Sequence, residues 1–217
     1  MMKLLLSLFF TLLTYCSFAQ ILTDDFKDTR QLVIEMTPAP NSSVYTDHGK
    51  LILDTKGGVT VWVNKRLKGN IKIEYKRKVL TEDKINDRLS DLNTFWMAQD
   101  PLNPNLFTRN GVLERYDSLR LYYVGMGGNT NSTTRFRKYE GNGTRTLIQE
   151  YKDADHLLKK DKEYKITIIV KDGVSSYFVD DVLYFTYKDP NPITAGYFGF
   201  RSTWSRQEIS QLRIYKL

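Results

Sequence analysis

The 217-residue chain carries one cysteine, Cys16, and two histidines, His48 and His156. Cys16 lies at the end of an N-terminal apolar stretch, so everything after it lacks a thiol for a disulfide, a Cys-based zinc site or a nucleophile. Neither histidine belongs to an H-x-x-x-H or H-E-x-x-H pattern, which removes the helical zinc motifs. No G-x-S-x-G elbow occurs. The stretch Gly125-Met126-Gly127-Gly128-Asn129 lacks the lysine of a phosphate loop, and Gly127 and Gly128 are read as turn residues with positive φ. There is no internal repeat, low-complexity tract or Pro/Gly/Ser linker, so one domain is expected.

What is present begins with an export pattern. Lys3 precedes an apolar run, Leu4 to Leu13, broken only by Ser7 and Thr11. The run is shorter than the about 20 residues a membrane helix needs. Ser17-Phe18-Ala19 supplies small residues where a signal peptidase reads them, so residues 1–19 are expected to be a cleaved leader and 20–217 the mature domain. Tyr15 before Cys16 departs from the small residue that a lipidated cysteine requires. The expected location is the periplasm or the cell exterior.

The 14 tyrosines and 11 phenylalanines favour strands. Val59 to Val63, Ile71 to Val79, Leu119 to Val124, Thr133 to Tyr139, Tyr164 to Lys171, Gly196 to Arg201 and Ile209 to Tyr215 are β-rich or alternate. Ser175 to Val179 and Val182 to Phe185 flank Asp180-Asp181, a hairpin signal. At most one short helix fits, near 81–92 or 153–160. The pattern predicts an all-β, two-sheet antiparallel sandwich. The net charge of +7 points to an acidic partner, a glycan or a membrane surface, and export sets nucleic acid aside. A solvated surface accounts for the same charge. No membrane span is expected, and the oligomeric state stays open.

The ending Tyr164 to Gly173, then Tyr177-Phe178-Val179-Asp180-Asp181, Gly196-Tyr197-Phe198-Gly199-Phe200-Arg201 and Leu212-Arg213-Ile214-Tyr215 resembles the closing strands of concanavalin-like jelly rolls. Asp24-Asp25-Phe26 and Gly49 to Leu53 resemble their first strands. The resemblance implies a last strand returning beside the N-terminal one, and a carbohydrate ligand. The middle, with Phe95 to Pro101 and Tyr116 to Arg120, also resembles an uncharacterised family of polysaccharide-utilisation systems in Bacteroidota-type bacteria. The E-x-D-x-x-E spacing of laminarinase-like hydrolases is absent, as are the "Q-I-H" and "Y-F-K-A-G" motifs of alginate lyases. The leading expectation is an exported protein processing an acidic or complex polysaccharide by β-elimination. A non-catalytic glycan-binding sandwich and a structural, surface-assembly protein are the alternatives.

Strand parity selects the candidate residues. If Leu119, Leu121, Tyr123, Phe136, Phe198 and Phe200 face the core, then Arg120, Tyr122, Arg135, Arg137, Tyr139, Tyr197 and Arg201 share a polar surface. Arginine forks suit a carboxylate, and tyrosines can move protons. Tyr122, Tyr197 and Arg120 are the catalytic candidates. Arg135, Arg137, Tyr139, Arg201 and Gln207, with Trp96 and Trp204 as sugar platforms, are the substrate-binding ones. An ordinary outer sheet displays Arg and Tyr by the same alternation, and a core role is the plainer reading of Trp96. No cofactor is expected; a structural Ca2+ stays open.

Overall fold

The computed structural model describes residues 19–217, so the expected leader, apart from Ala19, lies outside the described residues. The strands are β1 (Ala19–Asp24), β2 (Leu32–Met36), β3 (Ser43–Asp47), β4 (Lys50–Thr55), β5 (Val59–Val63), β6 (Leu67–Lys68), β7 (Ile71–Leu80) and β8 (Leu92–Gln99). They continue as β9 (Arg120–Gly127), β10 (Thr133–Glu140), β11 (Arg145–Tyr151), β12 (Glu163–Lys171), β13 (Val174–Val179), β14 (Val182–Lys188), β15 (Ala195–Ser202) and β16 (Ser205–Lys216). One sheet runs β14-β13-β12-β7-β16-β4-β3, with β1 added on β16. The second runs β11-β10-β9-β8-β15-β5-β2, with β6 added on β15. All pairings between these strands are antiparallel. This is the expected sandwich, and the last strand does return beside the first, with Gln20 opposite Tyr215 and Asp24 opposite Leu212.

Local sequence explains the elements. Ile71, Ile73, Tyr75, Arg77 and Val79 alternate inward along β7 between less buried neighbours. Asp180 and Asp181 both take positive φ, 49° and 65°, as the β13–β14 hairpin with a type I′ turn requires. Of the two places with room for a short helix, 153–160 holds a 3-10 turn, Ala154–His156, and 81–92 forms none. A second 3-10 turn spans Leu113–Tyr116. Four residues, Gly128–Asn131, make one helix-like turn, but Asn129, Thr130 and Asn131 have φ of 52°, 57° and 57°, so it is wound left-handed. Asn131 ties this turn down: its Nδ2 donates to Leu158 O at 2.9 Å and its Oδ1 accepts from Leu158 N at 2.8 Å.

Two apolar clusters form. The larger fills the space between the sheets, with Val59, Val61, Val63, Trp96, Val124, Phe136, Phe198 and Phe200 meeting Ile71, Ile73, Tyr75 and Ile209. The smaller lies on the opposite face of the second sheet, where Trp62, Phe95, Leu119, Leu121, Tyr123 and Tyr139 are roofed by Leu106 and Tyr116. The roof belongs to the connection 100–119. Because both faces are covered, β5 is buried throughout and β8 nearly so. Truncating a ring fully buried in either cluster costs about 3–5 kcal/mol.

Arg77 is a charged side chain buried inside the sandwich. It is 1% exposed and has no carboxylate partner among the described residues. Its Nε donates to Gln207 Oε1 at 2.6 Å, and Nη1 and Nη2 donate to the carbonyls of Asn93 at 2.5 Å and Arg201 at 2.9 Å. Burial pushes its pKa down to about 10. One side chain of the first sheet thus holds two adjacent strands of the second.

Candidate functional site

Cross-strand register defines a row on the outer face of the second sheet. Arg135 opposes Gly125, Gly125 opposes Asn93, Asn93 opposes Arg201, Arg201 opposes Thr60, and Thr60 opposes Glu35. Directly opposed residues share a face. The next row is Arg137, Tyr123, Phe95, Gly199, Trp62 and Val33.

The connection 100–119 covers one half of this surface. Arg201 is 1% exposed; its Nη1 donates to Gly111 O and to Thr60 Oγ1, and its guanidinium lies 5.4 Å from the Tyr116 ring centroid. Buried Glu35 accepts from Trp62 Nε1 and Tyr116 OH at 2.8 Å and from Arg109 N at 2.6 Å. Arg109 closes the connection on itself, donating to Asp100 at 2.6 Å and to the carbonyls of Leu106 and Arg115 at 2.9 Å. The seam is tightest where Gly111 meets Gly58. A Cβ on either would lie 2.1 Å from the carbonyl oxygen of the other, so no larger residue fits.

The other half is open and holds a cavity of about 260 Å3. Asn93, Tyr123 and Gly125 line it from the sheet, and Arg135 and Arg137 from β10. Leu113 of the roof, Thr203, the Arg88–Asp91 pair and the left-handed turn at Asn129 and Thr130 complete the lining. A side chain at 125 would place its Cβ 2.2 Å from Tyr123 OH, so glycine there lets the phenol lie flat over the strand. Burial pushes the Tyr123 phenol up, and its hydroxyl makes no hydrogen bond with a described residue. Asn93 Oδ1 is likewise buried without a hydrogen-bond partner among the described residues.

The charges are unevenly matched. Asp91 takes Arg88 Nη2 at 2.5 Å. Glu150 takes Arg135 Nε, and Asn129, with its amide oxygen facing Arg135, accepts from both Nη atoms at 3.1 Å. Arg137 has no hydrogen bond or ion pair with a described residue. A planar cation therefore faces the cavity unpartnered, beside a tyrosine hydroxyl and an asparagine amide. Three other hollows are larger: those of 480 Å3 at Thr23–Gln31 and 540 Å3 around Ile21, Lys65 and Lys216 have no aromatic ring in their linings to pack a sugar, and the aromatic residue of the third, 290 Å3 along Glu74–Lys76, is Tyr75, whose ring is buried in the inter-sheet core. Among the described residues no group of three or more His, Cys, Asp or Glu side chains is placed to hold a metal ion, and no helix is long and apolar enough to cross a membrane.

Of the residues expected from parity, Arg135 and Arg137 line the cavity. Tyr139, Tyr197 and Arg201 are on the same face but under or beside the roof: Tyr139 is buried against Phe95, and Tyr197 packs on Phe107 at 4.9 Å. Arg120 and Tyr122 are on the opposite face, which corrects the expected shared surface. Register sets Tyr122 against Lys138 and Arg120 against Glu140. Tyr122 points between the sheets, where its hydroxyl donates to Asp189 at 2.6 Å and lies 5.8 Å, ring to ring, from Trp96. Trp96 is a core residue stacked on Phe136 and Tyr177, not a sugar platform. Gln207 is also interior, bound to Arg77 and to Asp91 O at 3.0 Å. Trp204 sits in a turn beside the cavity wall, its ring 5.0 Å from the Arg88 guanidinium. Asn93, Tyr123, Arg88 and Thr203 were not singled out by parity. The only sequence signal for Tyr123 was its place in the apolar set Leu119, Leu121, Tyr123, and that set faces the roof, not the interior.

The architecture and the cavity on one sheet face define a jelly-roll sandwich of galectin or concanavalin type. Residues 53–212 match the model of a domain of unknown function, DUF6250, and the chain belongs to that family. No curated protein matches it. Among solved structures it is similar to a protein of unknown function with a galectin-like fold from Bacillus subtilis, at 15% identity and a TM-score of 0.74, covering 91% of this chain and 96% of the other. It is also similar to the carbohydrate-binding module CBM66 from Bacillus subtilis, at 13% identity and a TM-score of 0.59, covering 86% and 96%. The endo-β-1,3-glucanase from Pyrococcus furiosus is similar at 10% identity and a TM-score of 0.63, covering 92% and 94%. At these identities the likeness establishes the fold.

Proposed function

We propose that this is an exported glycan-recognition protein that takes an acidic sugar in the cavity between Asn93, Tyr123 and Arg137. The observation that carries this reading is the unpartnered Arg137 guanidinium in that cavity. A uronate carboxylate matches its paired N–H donors, and the Tyr123 face offers an apolar surface to the sugar ring. The fold neighbours support a carbohydrate ligand, since they include a carbohydrate-binding module, a winged bean lectin and an endo-β-1,3-glucanase. A role in bacterial polysaccharide utilisation fits the same reading.

β-Elimination is the second reading, favoured by the free Tyr123 hydroxyl beside Arg137 and Asn93. Such a reaction needs a group that neutralises the carboxylate, a base that withdraws the C5 proton and an acid for the leaving oxygen. Arg137 suits the first role. The raised phenol of Tyr123 suits a proton donor better than a base, and the nearby carboxylate of Asp91 is engaged by Arg88. Binding is therefore the function the geometry supports best. The test is titration against a panel of uronate-containing and neutral polysaccharides at low and high salt, with unsaturated uronate ends followed by ultraviolet absorbance. Salt-sensitive uptake of acidic glycans alone, without new unsaturated ends, is expected. Preference for neutral glycans would refute the acidic ligand, and unsaturated ends would establish the lyase.

A further inference from the structure

The row Arg135, Gly125, Asn93, Arg201, Thr60, Glu35 crosses the second sheet perpendicular to its strands. A polysaccharide bound along an open sheet face would lie on such a row and leave at both edges. Here the row is interrupted midway. Asn93 lines the cavity, but its opposed neighbour Arg201 is sealed beneath Gly111 and Tyr116. Beyond it Thr60 and Glu35 are buried too.

The barrier is built as a permanent wall. Gly111 and Gly58 approach backbone to backbone, and Thr37 on the far side donates its N–H to Gly58 O at 2.8 Å and its hydroxyl to Asn110 O at 3.1 Å. Arg109 and Glu35 anchor the wall from behind through buried charge-assisted bonds. In the opposite direction the row passes through Arg135 to Glu150 on β11, and the neighbouring row passes through Arg137. Past Arg137 the sheet continues to Leu147 on β11, its opposed residue, which is 51% exposed.

We propose that the cavity recognises the end of a glycan chain, with the terminal sugar lodged against Asn93 and the wall, and the rest of the chain leaving over Arg137 and Leu147. The inference rests on the glycan-binding reading above and adds its mode: end-on, one protein per chain terminus. Internal stretches are excluded because a chain continuing beyond Asn93 would meet the backbone of residues 110 and 111. Leu147 then packs the penultimate sugar, and units further out contact solvent.

The experiment is calorimetric titration of the intact mature protein with size-fractionated oligomers, from monomer to polymer, cut from galacturonan, alginate and a glucuronate-containing glycan. The expected result is one protein per oligosaccharide at every length, with affinity levelling after the first few sugars. Leu147→Ala is expected to weaken binding of the longer oligomers and leave the monomer unchanged. Capacity that grows with chain length would overturn end recognition while leaving glycan binding intact. Failure of every oligomer to bind would remove the glycan-binding reading and the proposal with it.

Discussion

Arg77 and Gln207 share a 2.6 Å hydrogen bond inside the sandwich, and from there the same guanidinium reaches the carbonyls of Asn93 and Arg201. Asn93 and Arg201 are the residues at which the open and covered halves of the outer face meet. The buried charge therefore fixes the backbone under the cavity. Arg77→Met keeps most of the volume but strands the Gln207 oxygen and two carbonyls. A loss of about 3–4 kcal/mol is expected, since removing one partner leaves buried polar groups unsatisfied. Chemical denaturation of the variant measures it; a change within about 0.5 kcal/mol, the range of an ordinary surface substitution, would contradict the assignment.

Arg201 is a strut of the roof. Arg201→Ala removes the bonds to Gly111 and Thr60 and the contact with Tyr116. The expected effect is a loss of about 2–3 kcal/mol, in the range for hydrogen bonds of a charged group. Faster amide exchange over residues 106–116 should accompany it. A variant of unchanged stability that lost ligand binding would return Arg201 to the role of ligand contact.

These two arginines show how far the sequence could be read. Alternation within β7, β10 and β15 was legible, and so were the all-β class and the Asp180-Asp181 hairpin. The phase between neighbouring strands was not, because it is set by hydrogen-bond register between distant segments. By alternation, Leu119 and the β9 residues Leu121 and Tyr123 belong to one apolar face, which the sequence pattern assigns to the core. They face outward, into a second apolar cluster created by the connection 100–119, and Tyr122 took their expected place inside. For the same reason β8, with Phe95 and Trp96 buried on opposite faces, shows no alternation at all. Arg135 and Arg137 were found because their strand has one plainly polar face.

Asp189 couples the second sheet to the connection after β14. Burial alone would push its carboxyl up, but hydrogen bonds from Tyr122, Lys138 and the Asn191 N–H outweigh it and hold the pKa below its ordinary value. A depressed folded-state pKa contributes stability that is present above the unfolded value of about 3.9 and is lost as pH falls through the folded one. Asp189→Asn is therefore expected to be less stable than the parent at neutral pH and to lose part of the acid-side fall in stability. Parallel acid-side stability profiles for the two proteins, measured by urea denaturation, would refute the coupling.

Export remains a sequence-based expectation. Secreted protein should begin at or next to Gln20, as read by intact mass. Retention of Met1 on exported protein, or a lipid on Cys16, would contradict it.

The central claim is that Arg137 is held free for an acidic ligand, and the most direct measurement is calorimetric affinity of wild type, Arg137→Lys and Arg137→Ala for an acidic glycan that the wild type binds. Among the described residues Arg137 has no hydrogen bond or ion pair to lose, so thermal midpoints should stay within about a degree or two, as expected for a substitution worth under about 0.5 kcal/mol. Affinity should fall about tenfold to a hundredfold in Arg137→Ala, the value of a charge-assisted hydrogen bond of about 1.5–3 kcal/mol. Arg137→Lys should recover only part of that, because the planar fork is gone. Undiminished affinity in a well-folded Arg137→Ala protein would contradict the account.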